Sequence, residues 1–234
     1  AATPGQVAAA PATTESQREA AALLKGMADH LAGLKSFSVM FRAGYDVVQS
    51  SGQKIEFGET RRLVLARPDR LNVEEVASDG KRDRVVFDGQ NVSVLDADAG
   101  VYAQAPQPGT IEDTLVYFVR ELRMRMPLAL LLTTRLPSVL ENAVRTIDLV
   151  ESTEILGVPA QHIAGRTASV DFQFWISEGR SPVPLRVVIT YPHSPGQPQF
   201  WANFSDWNTD PKPSSTTFEF TPPSGSKQIP FAVQ

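Results

Sequence analysis

The 234-residue chain contains no cysteine. That excludes disulfides, thiolate metal sites and a cysteine nucleophile, and it leaves the redox compartment open. There is also no apolar run near the roughly 20 residues that a helix needs to cross a bilayer. Positive charge is not concentrated: 22 Lys and Arg against 26 Asp and Glu give a net charge of −4, with no Lys/Arg-rich block. Affinity for a phosphate backbone comes from clustered cations, so a nucleic-acid partner is not expected. Aromatic residues are sparse at 8%, so Val, Leu and Ala dominate the apolar positions. What is present, 42% hydrophobic and 21% charged residues, suits a globular core and argues against wholesale disorder.

Motifs of catalysis are missing as well. There is no G-x-S-x-G elbow, H-E-x-x-H pair or phosphate-binding glycine loop. His30, His162 and His193 lie far apart in no metal spacing and are read as structural or surface residues. Asp96-Ala97-Asp98-Ala99-Gly100 lacks the acidic ligands of a calcium loop and reads as a hairpin turn. Glu74 and Glu75 are adjacent on a predicted strand and so point to opposite faces, which spoils them as an acid/base pair. No polar constellation emerges, and no catalytic residue, metal or cofactor is expected.

The apolar pattern divides the chain. Ala1–Pro11 is rich in Ala, Pro and Thr without core periodicity, and residues 1–13 are expected to be a disordered or processed tail, such as follows a cleaved export signal. Residues 14–234 are read as one domain, because no long linker divides them. Thr14 and Gln17 form a capping-box pair at the start of a predicted helix to about Lys35, with Leu24, Met27, Ala28, Leu31 and Leu34 on one face. From Phe37 the period drops to two: Phe37, Val39, Phe41, Ala43, Tyr45 and Val47 alternate with more polar residues, the mark of a long strand with one buried face. Turns at Ser50–Gly52, Arg67–Arg70, Asp79-Gly80 and Asp88-Gly89 then punctuate an antiparallel meander.

A helix interrupts the meander. Thr110 caps it, Glu112 and Asp113 sit in its first turn, and Pro127 is the expected stop. Ile111, Leu115, Phe118, Val119, Leu122 and Met126 read as its apolar face, with Arg120, Glu121, Arg123 and Arg125 away from it. Leu128–Leu132 reads as a second helical piece. Strands resume near Arg145 and continue through 217–220, roughly a dozen in all. The fold expected is mainly β with an α lid: a curved antiparallel half-barrel whose open side is covered by the N-terminal and inserted helices. The space between is a natural apolar cavity.

Leu63-Val64-Leu65-Ala66-Arg67-Pro68-Asp69-Arg70-Leu71-Asn72, followed by Val86-Phe87-Asp88-Gly89-Gln90-Asn91-Val92, places an R-P turn between two strands and then a D-G hairpin. Phe218-Glu219-Phe220-Thr221-Pro222-Pro223-Ser224-Gly225 forms a terminal F-x-F-x-P-P-x-G. In this order the motifs resemble the LolA/LolB-type lipoprotein-carrier superfamily, and within it a family of predicted periplasmic proteins of unassigned function. The resemblance spans roughly Leu23 to Pro230. It implies a non-enzymatic periplasmic or otherwise exported monomer holding an acyl chain, lipid or lipoprotein lipid moiety. The alternative on the same frame is a module that binds an envelope protein partner or senses stress without carrying lipid. Phe37, Val39, Phe41, Leu63, Leu65, Leu115, Phe118, Val119 and Leu122 are the wall and lid candidates. By resemblance, Arg67 is the residue that hydrogen-bonds the lid helices and holds the cavity shut.

Overall fold

The capping box at Thr14 forms: its side chain accepts from the Gln17 backbone N–H at 3.1 Å, and Gln17 accepts from the Thr14 N–H at 2.9 Å. The computed structural model describes residues 13–122 and 126–231. The expected tail residues 1–12, and Arg123 and Arg125 of the expected polar helix face, lie outside the described residues. Helix α1 (Glu15–Gly33) buries Ala20, Leu24, Met27, Ala28 and Leu31, the stripe set by their 3.6-residue spacing.

Six strands follow in a meander: β1 (Ser36–Val48), β2 (Lys54–Ala66), β3 (Arg70–Ala77), β4 (Arg82–Phe87), β5 (Asn91–Asp96) and β6 (Val101–Pro106). Then come α2 (Ile111–Arg120), a 3₁₀ turn (Ala129–Leu132) and α3 (Leu136–Ala143). The chain continues through β7 (Thr146–Ile155), β8 (Val158–Arg166), β9 (Asp171–Ser177), β10 (Pro184–Thr190) and β11 (Gln199–Asn208), and ends with a second 3₁₀ turn (Ser215–Phe218) and β12 (Lys227–Gln228). All twelve strands form one sheet, ordered β12-β6-β5-β4-β3-β2-β1-β11-β10-β9-β8-β7. It curves but stays open, and every pairing is antiparallel except β12 with β6. The expected half-barrel with a helical cover is the observed architecture.

An open curved sheet leaves its concave face to be covered, and the helices cover it. Helix α1 packs on β7 and α3, and Ser16 Oγ accepts from the Leu149 N–H of edge strand β7. The inner residues of the strands, the buried faces of α1 and α2, and Leu131 and Leu136 form one hydrophobic cluster.

Three expectations need correction. Helix α2 ends at Arg120, not at Met126 before Pro127. The segment between α2 and β7 contains a third helix, α3, with a proline in its first turn, where the missing N–H costs nothing. Residues 217–220 are not a strand: Ser215–Phe218 is a 3₁₀ turn, and the four flanking prolines (Pro211, Pro213, Pro222, Pro223) supply no N–H for a ladder. The chain crosses the outer face instead, where Asn72 Nδ2 donates to the Thr217 carbonyl at 2.8 Å. Edge strand β12 went unread because two residues carry no periodicity.

Trp207 departs from strict alternation along β11, which would put it on the outer face with Trp201, opposite Phe200 and Phe204. The register with β1 shifts between Ser38 and Met40, and Asp206 takes a left-handed φ of 55°. This bulge turns Trp207 inward, 5.6 Å from Phe37 and 5.7 Å from Phe204 between ring centroids. Its indole N–H donates to the Pro184 carbonyl at 2.9 Å. Trp201 stays outside, over Gly44, where a Cβ would come within 2.5 Å of the indole. A β-branched residue at Asp206 must occupy a region that Cβ makes unfavourable by about 1–2 kcal/mol. Asp206→Val is therefore expected to lower stability by about that amount while Asp206→Gly does not, as read from urea midpoints with Trp207 fluorescence; equal midpoints would show that the bulge does not depend on this backbone position.

Candidate functional site

The site lies under α2 and the Ala129–Leu132 turn, on the concave face of β1–β4 and β11. The hinge of this arrangement is the turn between β2 and β3. Arg67 Nε donates to the Leu34 carbonyl at 2.9 Å and Nη2 to that of Leu31 at 3.2 Å, both at the C-terminal end of α1. Its Nη1 donates to the Leu132 carbonyl at 2.7 Å, at the end of the 3₁₀ turn. The backbone joins in: the Arg67 N–H donates to the Lys35 carbonyl at 2.8 Å, and the Ile111 N–H of α2 to the Pro68 carbonyl at 2.9 Å.

Glu112, in the first turn of α2, completes the cluster. It lies 4.0 Å from Arg67 Nη1 and accepts from the Thr134 N–H at 2.8 Å and the Thr134 hydroxyl at 3.0 Å. Burial pulls the Arg67 pKa below its usual value, with the field of Glu112 opposing. Burial also pushes the Glu112 carboxyl up, but the Thr134 bonds and the Arg67 charge outweigh it and leave the pKa below the usual carboxylate range. One guanidinium thus links a strand turn to α1, to the 3₁₀ turn and, through Glu112, to α2. A guanidinium suits the task because it presents five donors in a rigid fork.

Between this cover and the sheet is a cavity of about 110 Å³. Among the expected wall and lid residues, Phe37, Val39, Phe41, Leu63 and Phe118 line it. Leu65, Leu115 and Leu122 are buried in the surrounding core and do not line it. Val119 does neither: it is 47% exposed. The buried arc of α2 runs through Ile111, Thr114, Leu115 and Phe118, and at 100° per residue Val119 falls about 80° round the helix from Ile111, past the edge of that arc. Trp207, Phe204, Leu71, Val73, Val85 and the Met126–Leu132 segment supply walls that the sequence reading did not assign.

One end of the cavity is polar, contrary to the expectation that no polar constellation exists. Arg61 and Glu75 line it with Asp83 at the rim. Arg61 Nη2 lies 2.9 Å from Glu59 Oε1 and 3.0 Å from Glu75 Oε2. Burial, followed by the Glu59 charge against the opposing Arg61, raises the Glu75 pKa to about 7. A signal was available: Glu59 and Arg61 share parity with Leu63 and Leu65 on β2. Glu75 falls opposite Arg61 once the turn at Pro68 sets the register. Glu74, as expected, faces the other way, into an outer groove beneath Thr216 and Thr217.

His162 and the Asp96–Gly100 segment do not line the cavity. His162 is buried and stacks on Trp175 at 3.9 Å between centroids, with Nε2 2.9 Å from Gln173 Oε1. Asp96–Gly100 is the β5–β6 turn, where the Ala99 N–H donates to Asp96. Among the described residues no group of three or more His, Asp or Glu side chains converges as a metal site, and no helix is long and apolar enough to cross a membrane.

The family described as "Predicted periplasmic protein (DUF2092)" matches residues 20–232. The chain belongs to that family. The periplasmic location expected from the sequence is the one in the family's own description. No curated protein matches the chain in sequence. Similar solved structures include MucB (18% identity, 87% of this chain and 63% of that one, TM-score 0.47). LprF from Mycobacterium bovis is another (13% identity, 89% and 98% covered, TM-score 0.47). A third is a LolA superfamily protein from Nitrosomonas europaea (9% identity, 86% and 97%, TM-score 0.41). The chain spans 63% of the length of the MucB chain.

Two predictions follow from this geometry. Replacing Arg67 with Leu strips three carbonyls of a charged donor and is expected to cost about 2–3 kcal/mol, with faster hydrogen exchange in residues 126–136; Arg67→Lys recovers only part, because an ammonium cannot span the three acceptors. Glu75 has a pKa of about 7 in the folded protein against an ordinary value of 4.5, so the folded state binds its proton more tightly. Its stabilising contribution is full below about pH 4.5 and is lost as the pH rises to about 7. Glu75→Gln should therefore flatten the pH dependence of stability between pH 5 and 8 by on the order of 1–2 kcal/mol, measured by urea unfolding.

Proposed function

We propose that this family member is a non-enzymatic periplasmic binding protein that encloses an acyl chain or the lipid part of an amphiphile. The observation that carries the reading is the apolar cavity roofed by α2 and the Ala129–Leu132 turn, a roof tied down by Arg67. At about 110 Å³ the space is smaller than the roughly 150 Å³ cavity that takes up one benzene. A long chain therefore requires the 3₁₀ turn and α2 to swing outward, and the Arg67–Leu132 bond is the contact that such movement breaks. Burial at about 0.8 kcal/mol per CH₂ makes a chain of about ten carbons sufficient for micromolar retention. The side chains at the polar end support binding: Glu59 and Glu75 both engage the one Arg61 guanidinium, and apart from Arg61, Glu75 and Asp83 the described lining residues are apolar.

A second reading, docking of a protein partner, is favoured by the β1–β2 hairpin. There the inner-face pairs Tyr45–Phe57 and Val47–Ile55 are each about two-fifths exposed. Native mass spectrometry of gently purified protein, with organic extraction, separates the two. The expected result is a bound lipid mass that leaves on extraction, together with weaker retention in Arg67→Leu. Val73→Phe, which fills the cavity from β3, should reduce uptake of added lysolipid about tenfold without loss of fold. A protein that is empty and refuses added fatty acid or lysolipid would overturn the acyl reading in favour of a partner.

A further inference from the structure

The cavity is amphiphilic, and the sign of its polar end is unusual for a fatty-acid site. Along the inner face of β2, apolar Leu65 and Leu63 give way to Arg61 and then Glu59; along β3, Leu71 and Val73 give way to Glu75. Asp83 of β4 stands opposite Glu75 in register. Two carboxylates therefore meet one guanidinium through the same nitrogen, at 2.9 and 3.0 Å, and a third, Asp83, stands next to Glu75. From β5 and its turn, Asp96 and Asp98 add to the negative field at Asp83. From above, the described lid residues that line the cavity are all apolar: Phe118, Met126, Leu128, Ala129, Leu131 and Leu132. Among the described residues Lys and Arg are thus outnumbered at this end, while the walls behind it are hydrocarbon.

A carboxylate or phosphate head placed here meets net negative charge and a cation whose donors are partly taken. A neutral head gains little. An ammonium brings three donors and no acceptor, satisfies the carboxylate oxygens that Arg61 leaves over, and balances the excess charge.

Resting on the acyl-binding reading above, we propose that the ligand of this cavity is an amphiphile with a protonated amine as its polar head, seated against Glu75, Asp83 and the Glu59-paired Arg61 with its chain under the lid. Binding the cation displaces the proton that Glu75 holds near neutral pH, and that proton goes to solvent. The sign follows: an ammonium binds the ionised form, so affinity rises with pH until Glu75 is fully ionised. With a pKa of about 7 the apparent affinity should rise about tenfold between pH 6 and pH 8 and then level off.

The test uses the intact chain and three probes with matched chains: decylamine, decanol and decanoate, titrated at pH 6, 7 and 8 with Trp207 fluorescence and calorimetry as readouts. The expected result is decylamine binding at least tenfold more tightly than decanoate at pH 8, an advantage that shrinks at pH 6, and proton release accompanying decylamine alone. In Glu75→Gln the amine preference and its pH dependence should collapse together, so that decylamine and decanol converge. Asp83→Asn, at the exposed rim, gives an independent arm and should weaken decylamine about threefold. If all three probes bind alike, or decanoate binds best, head selection is overturned while the acyl cavity stands. If none binds, the acyl reading falls and this inference falls with it.

Discussion

Everything on the concave side of the molecule depends on where one guanidinium sends its hydrogen bonds. Arg67 sits at the turn between β2 and β3, yet its partners are the carbonyls of Leu31, Leu34 and Leu132. Helix C-termini leave carbonyls without intrahelical donors, and a cation near them also meets the negative end of the helix dipole. The sheet therefore meets its cover at the one place where the cover has unsatisfied acceptors. Glu112 extends the same contact to α2 and, through Thr134, to the approach to α3.

That single anchoring point explains the graded character of the concave face. Near Arg67 the sheet is fully roofed, and Phe37, Leu65, Leu71 and Phe87 are completely or almost completely buried. Farther along the same strands the roof thins, and the Arg61 cluster appears where its side chains are partly exposed. Beyond it Tyr45, Val47, Ile55 and Phe57 continue uncovered to the hairpin tip. An apolar chamber, a charged collar and an exposed apolar apron thus follow one another along two strands. For the amphiphile proposed above, the chain would lie under the roof and the head at the collar.

Much of this was legible in the residues. The capping boxes at Thr14 and Thr110, the alternation through Phe37, Val39 and Phe41, and the Asp-Gly turns are local signals, and local hydrogen bonds or steric demands enforce each of them. The R-P turn and the terminal F-x-F-x-P-P-x-G carried the family. Five of the nine apolar wall and lid candidates line the cavity because parity along a strand or stripe was enough to orient them. Val119 was misplaced because an apolar residue just off the stripe cannot be told from one on it without knowing how wide an arc the sheet covers. Trp207 turns inward because a bulge at Asp206 reverses parity, which leaves no mark in composition. Residues 217–220 alternate like a strand, but the surrounding prolines and the pull of Asn72 on the Thr217 carbonyl take them elsewhere.

By itself the sequence determined the kinds of element, their order, the inward face of most strands and the polar nature of Arg67, because these rest on periodicity, caps and turns within a few residues. Only the tertiary structure decided that Arg67 reaches carbonyls 33, 36 and 65 positions away along the chain. It also decided that Trp207 turns inward and that Arg61, with Glu59 beside it, shares one end of a cavity with Glu75 and Asp83. Those outcomes depend on strand register and on the curvature of a twelve-stranded sheet, which sum over many weak pairings and are not encoded at any single position.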